Sequence, residues 1–209
     1  MSLASVKSPK HCAERKFDYY KLFKRIFYIL STLLSTISLL ILIVWLILHP
    51  SKPEFSLKEA TINQLDLPSQ HTLNSSVQFT ILSRNPNQRV GIYYGELTAY
   101  ASYKGQQITV QSSLPPFYQG HGDINILTES LIGSGFPVAS SFRYEVQRDK
   151  MAGKLVLSLK VNGQVRWKVG SWVSWKYHIN VHCIALMDFK EIPSGPLSMK
   201  QETQCSTSV

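Results

Sequence analysis

Residues 154–169 read KLVLSLKVNGQVRWKV, and their alternation decides the fold. Leu155, Leu157 and Leu159 stand at every second position before Asn162-Gly163, and Val165, Trp167 and Val169 do so after it. A period of two is that of a strand with one buried face. The Asn-Gly pair predicts a hairpin, and parity selects its loop. A two-residue turn would set Lys160 opposite Val165. A three-residue loop over Val161-Asn162-Gly163, with Gly163 left-handed, instead pairs Leu159 with Val165, Leu157 with Trp167 and Leu155 with Val169. The bulged turn is the expectation. Its outer face carries Lys154, Lys160, Arg166 and Lys168 without an acid, most often a solvated face and less often a contact for an anionic surface.

Outward from this element, β-rich runs lie at 76–82, 92–103, 108–111 and 176–184, separated by turn residues such as Asn85-Pro86-Asn87 and Lys104-Gly105. The spacing predicts a mainly antiparallel β-sandwich. One helix is expected between Pro137 and Lys150, with Pro137 at its first position, Val138, Phe142 and Val146 at four-residue intervals, and Gly153 as its stop. Tyr93 and Tyr94 fall on opposite faces of a regular strand, so at most one is core.

A second pattern lies near the N-terminus. Residues 26–48, IFYILSTLLSTISLLILIVWLIL, carry no charge and as a helix would span about 34 Å against a hydrocarbon slab of about 30 Å. The run is too long for the apolar region of a cleaved leader, and no small-x-small site closes it, so a signal-anchor helix is predicted. Seven Lys/Arg (Lys7, Lys10, Arg15, Lys16, Lys21, Lys24, Arg25) against Glu14 and Asp18 precede it. That asymmetry places residues 1–25 in the cytosol, with Phe27-Tyr28 and Trp45 at the two interfaces. Residues 49–59, with Pro50 and Pro53, read as a stiff spacer, and 60–209 as the external domain with a polar C-terminal tail.

Of the net charge of +9, the leader holds +5 and the external part +4. A juxtamembrane basic cluster suits anionic cytoplasmic-leaflet lipids and calls for no nucleic acid. Cys12 falls in the reducing cytosol. Cys183 and Cys205 fall outside, where they are a candidate disulfide, the alternative being two free thiols under the opposite topology. Asn74-Ser75-Ser76 is the one N-glycosylation sequon, so Asn74 is a candidate acceptor.

The search for chemistry ends without a site. His178 and His182 are four apart, but along a strand they would stand about 13 Å from each other and cannot share one zinc ion. Cys183 points to the opposite face from His182. Gly133-Ser134-Gly135 lacks the Gly-x-Ser-x-Gly spacing of a nucleophile elbow, and no Walker loop, dinucleotide fingerprint or His-Glu-x-x-His is present. No enzyme activity, cofactor or metal is expected.

Three ordered motifs remain: residues 85–94, NPNQRVGIYY; residues 114–121, LPPFYQGH; and residues 165–170, VRWKVG. They resemble the plant harpin-induced and non-race-specific disease-resistance-like family, whose type-2 late-embryogenesis-abundant domain is also called the water-stress and hypersensitive-response domain. The resemblance covers residues 60–205. It rests on Asn85, Pro86, Asn87, Arg89, Gly91, Tyr93, Tyr94, Pro115, Pro116, Phe117, Tyr118, Gln119, Gly120, His121, Arg166, Trp167 and Lys168. It implies a sandwich of about seven strands, immunoglobulin- or fibronectin-III-like, with one helix. It also implies a plasma-membrane anchor, with room for plasmodesmata and for oligomers, and roles in defence and stress responses through an unknown protein or cell-wall partner. The family's cysteine pair is present as Cys183 and Cys205. Many relatives carry Asp where this chain has Gly95 and Lys where it has Gly122. From the residues themselves, Asn85-Pro86-Asn87 is a turn between strands. The Leu114-Pro115-Pro116 stretch is either an exposed polyproline loop or, as favoured, a rigid crossover packing Phe117 on the sandwich.

Overall fold

The uncharged run is helical in the computed structural model, which describes residues 19–48, 50–69, 71–188, 196–199 and 201–209. Lys7, Lys10, Cys12, Glu14, Arg15, Lys16 and Asp18 lie outside the described residues, as does the side chain of Trp45. Helix α1 (Tyr19–Leu48) starts seven residues before Ile26, so the last part of the expected basic tail is helix. Residues 19–25 contain no Pro or Gly to stop it, and Lys and Arg stems can lie along an apolar helix while their heads reach outward. The hydroxyls of Thr32 and Thr36 donate back to carbonyls of Ile29 and Leu33, at 2.9 and 2.8 Å. Their polar groups therefore need no water, and the helix fits a membrane anchor.

Residues 48–209 form a separate unit. In chain order it contains β1 (Glu54–Asp66), β2 (Thr72–Arg84), β3 (Gly91–Tyr94), β4 (Leu97–Tyr103), β5 (Gln106–Gln107), β6 (Ser112–Leu114), β7 (Phe117–Gln119), β8 (Ile124–Pro137), α2 (Phe142–Met151), β9 (Lys154–Val169), β10 (Trp172–Val173), β11 (Tyr177–Asp188), β12 (Leu197–Ser198), β13 (Thr203–Gln204) and β14 (Ser206–Ser208). One antiparallel sheet has the order β12-β1-β2-β8, with β13 also on β1. In the other, β14-β11-β9 is followed by β3 and β4 along the far edge of β9, with β7 on β3 and β6 on β4. Phe55, Leu57, Val77, Phe79 and Ile81 from the first sheet meet Ile92, Tyr94, Leu157, Val181 and Met187 from the second in one core. Among the described residues, with β3–β4 and β6–β7 each counted as one interrupted strand, seven principal strands make the sandwich.

The hairpin expected at Asn162-Gly163 does not form. β9 runs straight through it, with β11 on one edge (Val181 opposite Val161, Tyr177 opposite Val165) and β4 and β3 on the other (Ala99 opposite Val161, Tyr94 opposite Val165). Residues 155, 157, 159, 161, 165 and 167 share one parity, so an unbroken strand buries them all without a loop. Gly163 is required by a neighbour. A Cβ there would stand 2.6 Å from the Glu96 carbonyl oxygen and 2.5 Å from a Leu97 methyl. What crosses at that point is a bulge: Ile92 and Tyr94 are buried at even positions, Leu97, Ala99, Ala101 and Tyr103 at odd ones. The Gly95 N–H closes it on the Gln164 carbonyl at 2.8 Å. Gly163→Ala should therefore overpack this crossing and lower the unfolding free energy by about 1–3 kcal/mol. A Cβ at Gly95 meets the Gln164 oxygen at 3.4 Å, and Gly95→Asp should stay within about 0.5 kcal/mol of the parent when both variants are unfolded in urea.

Other expectations change for similar reasons. β1 begins inside the stretch read as spacer. Its buried residues switch from odd (Phe55, Leu57) to even (Ala60, Ile62) across a bulge between Leu57 and Glu59, which hides the period of two. Residues 108–111 are not a strand, although Ile108 and Thr109 are buried. The polar C-terminal residues are not a tail, because β13 and β14 pair with β1 and β11 through main-chain bonds that need no apolar side chains.

Pro137 pairs with Thr72 at the end of β8, and the helix starts at Phe142 instead. Val138 and Phe142 are buried, Val146 packs against the core, and Gly153, at φ 74°, follows the helix. Asp149 on α2 accepts hydrogen bonds from the Tyr103 hydroxyl at 2.7 Å and Lys104 Nζ at 2.9 Å. These bonds, Tyr103 first, hold its carboxyl below the usual carboxylate range. A depressed carboxylate contributes stability at pH values above its unfolded pKa and loses it as pH falls through the folded one. Asp149→Asn should thus destabilise the domain near neutrality and converge with the parent chain on acidification, read from unfolding free energies against pH.

Candidate recognition face and the motif residues behind it

The run at 85–94 connects β2 in one sheet to β3 in the other, a crossing that buries polar backbone and must satisfy it. Asn85 is fully buried. Its Nδ2 donates to the carbonyls of Val90 and Gly120, both at 2.8 Å, and its Oδ1 accepts from the N–H and Nδ2 of Asn87 at 3.1 and 2.8 Å. Asn87 in turn grips Ser51: its Oδ1 accepts the Ser51 N–H at 2.7 Å and its Nδ2 donates to the Ser51 carbonyl at 2.8 Å. The motif is more than a turn, since it clasps the start of the domain. Pro86 is half-buried and Arg89 exposed.

Gln119, also fully buried, extends this network. Its Nε2 donates to the carbonyls of Ser83 and Asp123 at 2.8 and 3.1 Å, and its Oε1 accepts the Tyr94 hydroxyl at 3.0 Å. Burial pushes the Tyr94 phenol far above its ordinary pKa, so it stays a neutral donor. Phe117 stacks on Tyr94 with ring centres 4.4 Å apart, which makes the Pro115-Pro116 stretch the rigid crossover, both prolines exposed. Gly120 and His121 turn the chain into β8, and the Asp123 carboxylate accepts the Gly120 N–H at 2.9 Å. Trp167 is core.

The remaining motif residues converge on the outer face of the larger sheet. Tyr118 lies over Gly91, where a Cβ would come within 2.8 Å of its ring. The rings of Tyr93 and Tyr118 are 4.6 Å apart. Lys168 Nζ stands 5.5 and 5.0 Å from their centres and donates to the Tyr93 hydroxyl at 3.2 Å. Arg166 lies 5.8 Å from the Tyr93 ring, and Lys160 lies 5.9 Å from that of Tyr100. Cations set over aromatic faces are held in place yet keep their charge toward solvent. Beside them an open polar depression of about 610 Å³ is lined by Glu96, Asn162, Gln164, Arg166, Lys176 and His178, among others. Sequence reasoning missed Tyr100, Lys176 and Asn180 as neighbours of this cluster. Their signal was the polar parity of β4 and β11, which pairing with β9 turns to one face.

His178 and His182 are exposed on β11, and no group of three or more metal-ligating side chains occurs among the described residues. Cys183 and Cys205 are bonded. The bond sits where the C-terminal segment passes from β1 to β11, so it closes one side of the sandwich. Asn74 is half-buried on β2, its Oδ1 accepting the Gly135 N–H at 2.8 Å.

Residues 80–183 of this two-sheet domain match the late embryogenesis abundant protein family. The chain is 49% identical to NDR1/HIN1-like protein 26 of Arabidopsis thaliana over all of both chains. It is 39% identical to NDR1/HIN1-like protein 1 over 96% of its own length and all of that relative. Protein NDR1 of the same plant is 25% identical over 70% of this chain and 68% of its own. The chain therefore belongs to the NDR1/HIN1-like family.

Proposed function

We propose that this chain is a single-pass plasma-membrane protein, with its N-terminus in the cytosol, whose extracellular sandwich acts by binding in plant defence and abiotic-stress signalling. The observation that carries this reading is the ordered Tyr93, Tyr118, Arg166 and Lys168 cluster beside an open polar depression, a surface suited to recognition. The apolar helix with its basic leader, the disulfide and the family membership support it. Protease added to sealed protoplasts should digest an epitope after Val209 and spare one before Met1. Loss of the protein should weaken resistance or hypersensitive cell death, and Arg166→Glu with Lys168→Glu should fail to restore it. Full restoration by a secreted form lacking residues 1–48 would sink the membrane-signalling reading. Asn74→Gln should remove one glycan-dependent mobility step, and an unchanged mobility would overturn the glycosylation of Asn74.

A second reading is favoured by the acid-free row of Lys160, Arg166 and Lys168 on β9. In it the domain tethers the membrane to anionic wall polymers. Binding to de-esterified pectin that disappears between low and high ionic strength supports the tether; salt-insensitive capture of one protein supports the signalling reading.

A further inference from the structure

The register of both sheets gathers one set of loops at one end of the sandwich. Glu54 pairs with Arg84, Ile92 with Gln119 and Gly91 with Lys168, while Asn180 pairs with Ser208. The chain entry at Ser51, the clasp at 85–90, the turn at 120–123 and the loop at 170–176 therefore share that end. The last of these carries the most exposed indole among the described residues: Trp175 is 86% exposed and Trp172 60%. Their loop is ordered from behind. Trp172 and Val173 pair with Val169 and Lys168, and buried Ser174 accepts the Trp167 N–H at 2.9 Å and donates to the Trp175 carbonyl at 2.8 Å. Two tryptophans held outward on a rigid loop are a surface waiting for an apolar partner.

Connectivity says which partner. Asn87 holds Ser51, and three peptide units link Ser51 to the last residue of α1, at most about 10 Å of extended chain. The point where the chain enters the domain is thus tethered within that reach of the end of α1, and it lies at the same end of the sandwich as the tryptophan loop. Indoles favour the membrane interface, with the ring among the upper acyl carbons and the N–H on ester or headgroup oxygens. Lys176 follows Trp175 directly, and exposed Arg89 at the same end suits lipid phosphates.

We propose that residues 170–176 seat Trp172 and Trp175 in the headgroup layer of the external leaflet. The domain would thereby gain a second membrane contact that fixes which of its faces points away from the bilayer. This rests on α1 spanning the membrane, and the test separates the two. The full chain is reconstituted in phosphatidylcholine nanodiscs with Trp45→Phe, Trp172→Phe and Trp175→Phe, leaving only buried Trp167 as baseline; Trp45, Trp172 or Trp175 is then restored singly. None of these changes touches the domain core.

A lipid nitroxide placed near the glycerol backbone should quench the added emission of Trp172 and Trp175 at least about twofold, and aqueous iodide should reach them several-fold less than it reaches a free indole. Full iodide access without nitroxide quenching, with Trp45 quenched, overturns this proposal alone. If Trp45 is also unquenched, the membrane-spanning reading fails and this proposal with it. Iodide protection without nitroxide quenching, present only in discs holding two copies, would assign the loop to a second copy and overturn the lipid contact.

Discussion

Asn85→Ala is expected to remove a large share of the domain's stability. The carboxamide of Asn85 is fully buried and makes four hydrogen bonds, to Val90, Gly120 and twice to Asn87. Alanine would leave the Val90 carbonyl, the Asn87 N–H and one Asn87 Nδ2 hydrogen without partners, and the Gly120 carbonyl with only the 3.4 Å bond from the Asp123 N–H, at about 1–3 kcal/mol for each buried group that stays unsatisfied. Partial relaxation brings the expected loss to about 4 kcal/mol, a large share of a margin of about 5–15 kcal/mol. Asn85→Asp should do no better, because it keeps the acceptor, loses both Nδ2 donors and buries a charge. Urea unfolding of the full chain in detergent, followed by Trp167 emission, measures this. Arg89→Ala, exposed on the same connector, should lie within about 0.5 kcal/mol of the parent. If Asn85→Ala proved equally mild, the clasp would not be holding β2, β3, β8 and the domain entry together.

Removing the Cys183–Cys205 bond is the second large effect. The bond closes a sequence separation of 22, worth about 3 kcal/mol of unfolded-chain entropy in the loop-closure account. Cys183 is fully buried, so Cys183→Ala with Cys205→Ala adds a small cavity to that loss. The consequence should be local first. β13 and β14 are two and three residues long, and without the bond their ladders on β1 and β11 should open before the rest of the sandwich. Hydrogen exchange at the residue-205 amide, which donates to the Phe55 carbonyl at 2.9 Å, should then accelerate far more than exchange at Val161 in the middle of β9, between β11 and β4. Equal acceleration at both positions would show that the C-terminal segment is not a separately opening unit.

Composition and parity, read from the sequence by itself, determined the apolar helix and most of the strands. An uncharged run of membrane length becomes helix because backbone bonds close within it, and alternating Leu, Val and Ile become strands because one pleated face must leave water. The opposite faces of Tyr93 and Tyr94, the extended geometry that separates His178 from His182, and the packing of Phe117 were legible for that reason. Motif residues were legible only as a set, since one-dimensional order does not distinguish the buried Asn85, Asn87 and Gln119 from the exposed Arg89, Tyr118 and Arg166.

Only the tertiary structure decided the rest. Asn162-Gly163 has the chemistry of a tight turn, yet it lies in mid-strand because the bulge between β3 and β4 needs room beside Gly163. The same bulge, and the one at Leu57–Glu59, shift the parity of buried residues by one and conceal strands that pairing then defines. The cationic-aromatic face and the tryptophan-bearing end exist because antiparallel pairing brings residues from β3, β7, β9 and β11 side by side. Local propensity carries no information about which strand edge another strand will occupy. That choice is made by long-range main-chain hydrogen bonding and by the common core that the two sheets must bury.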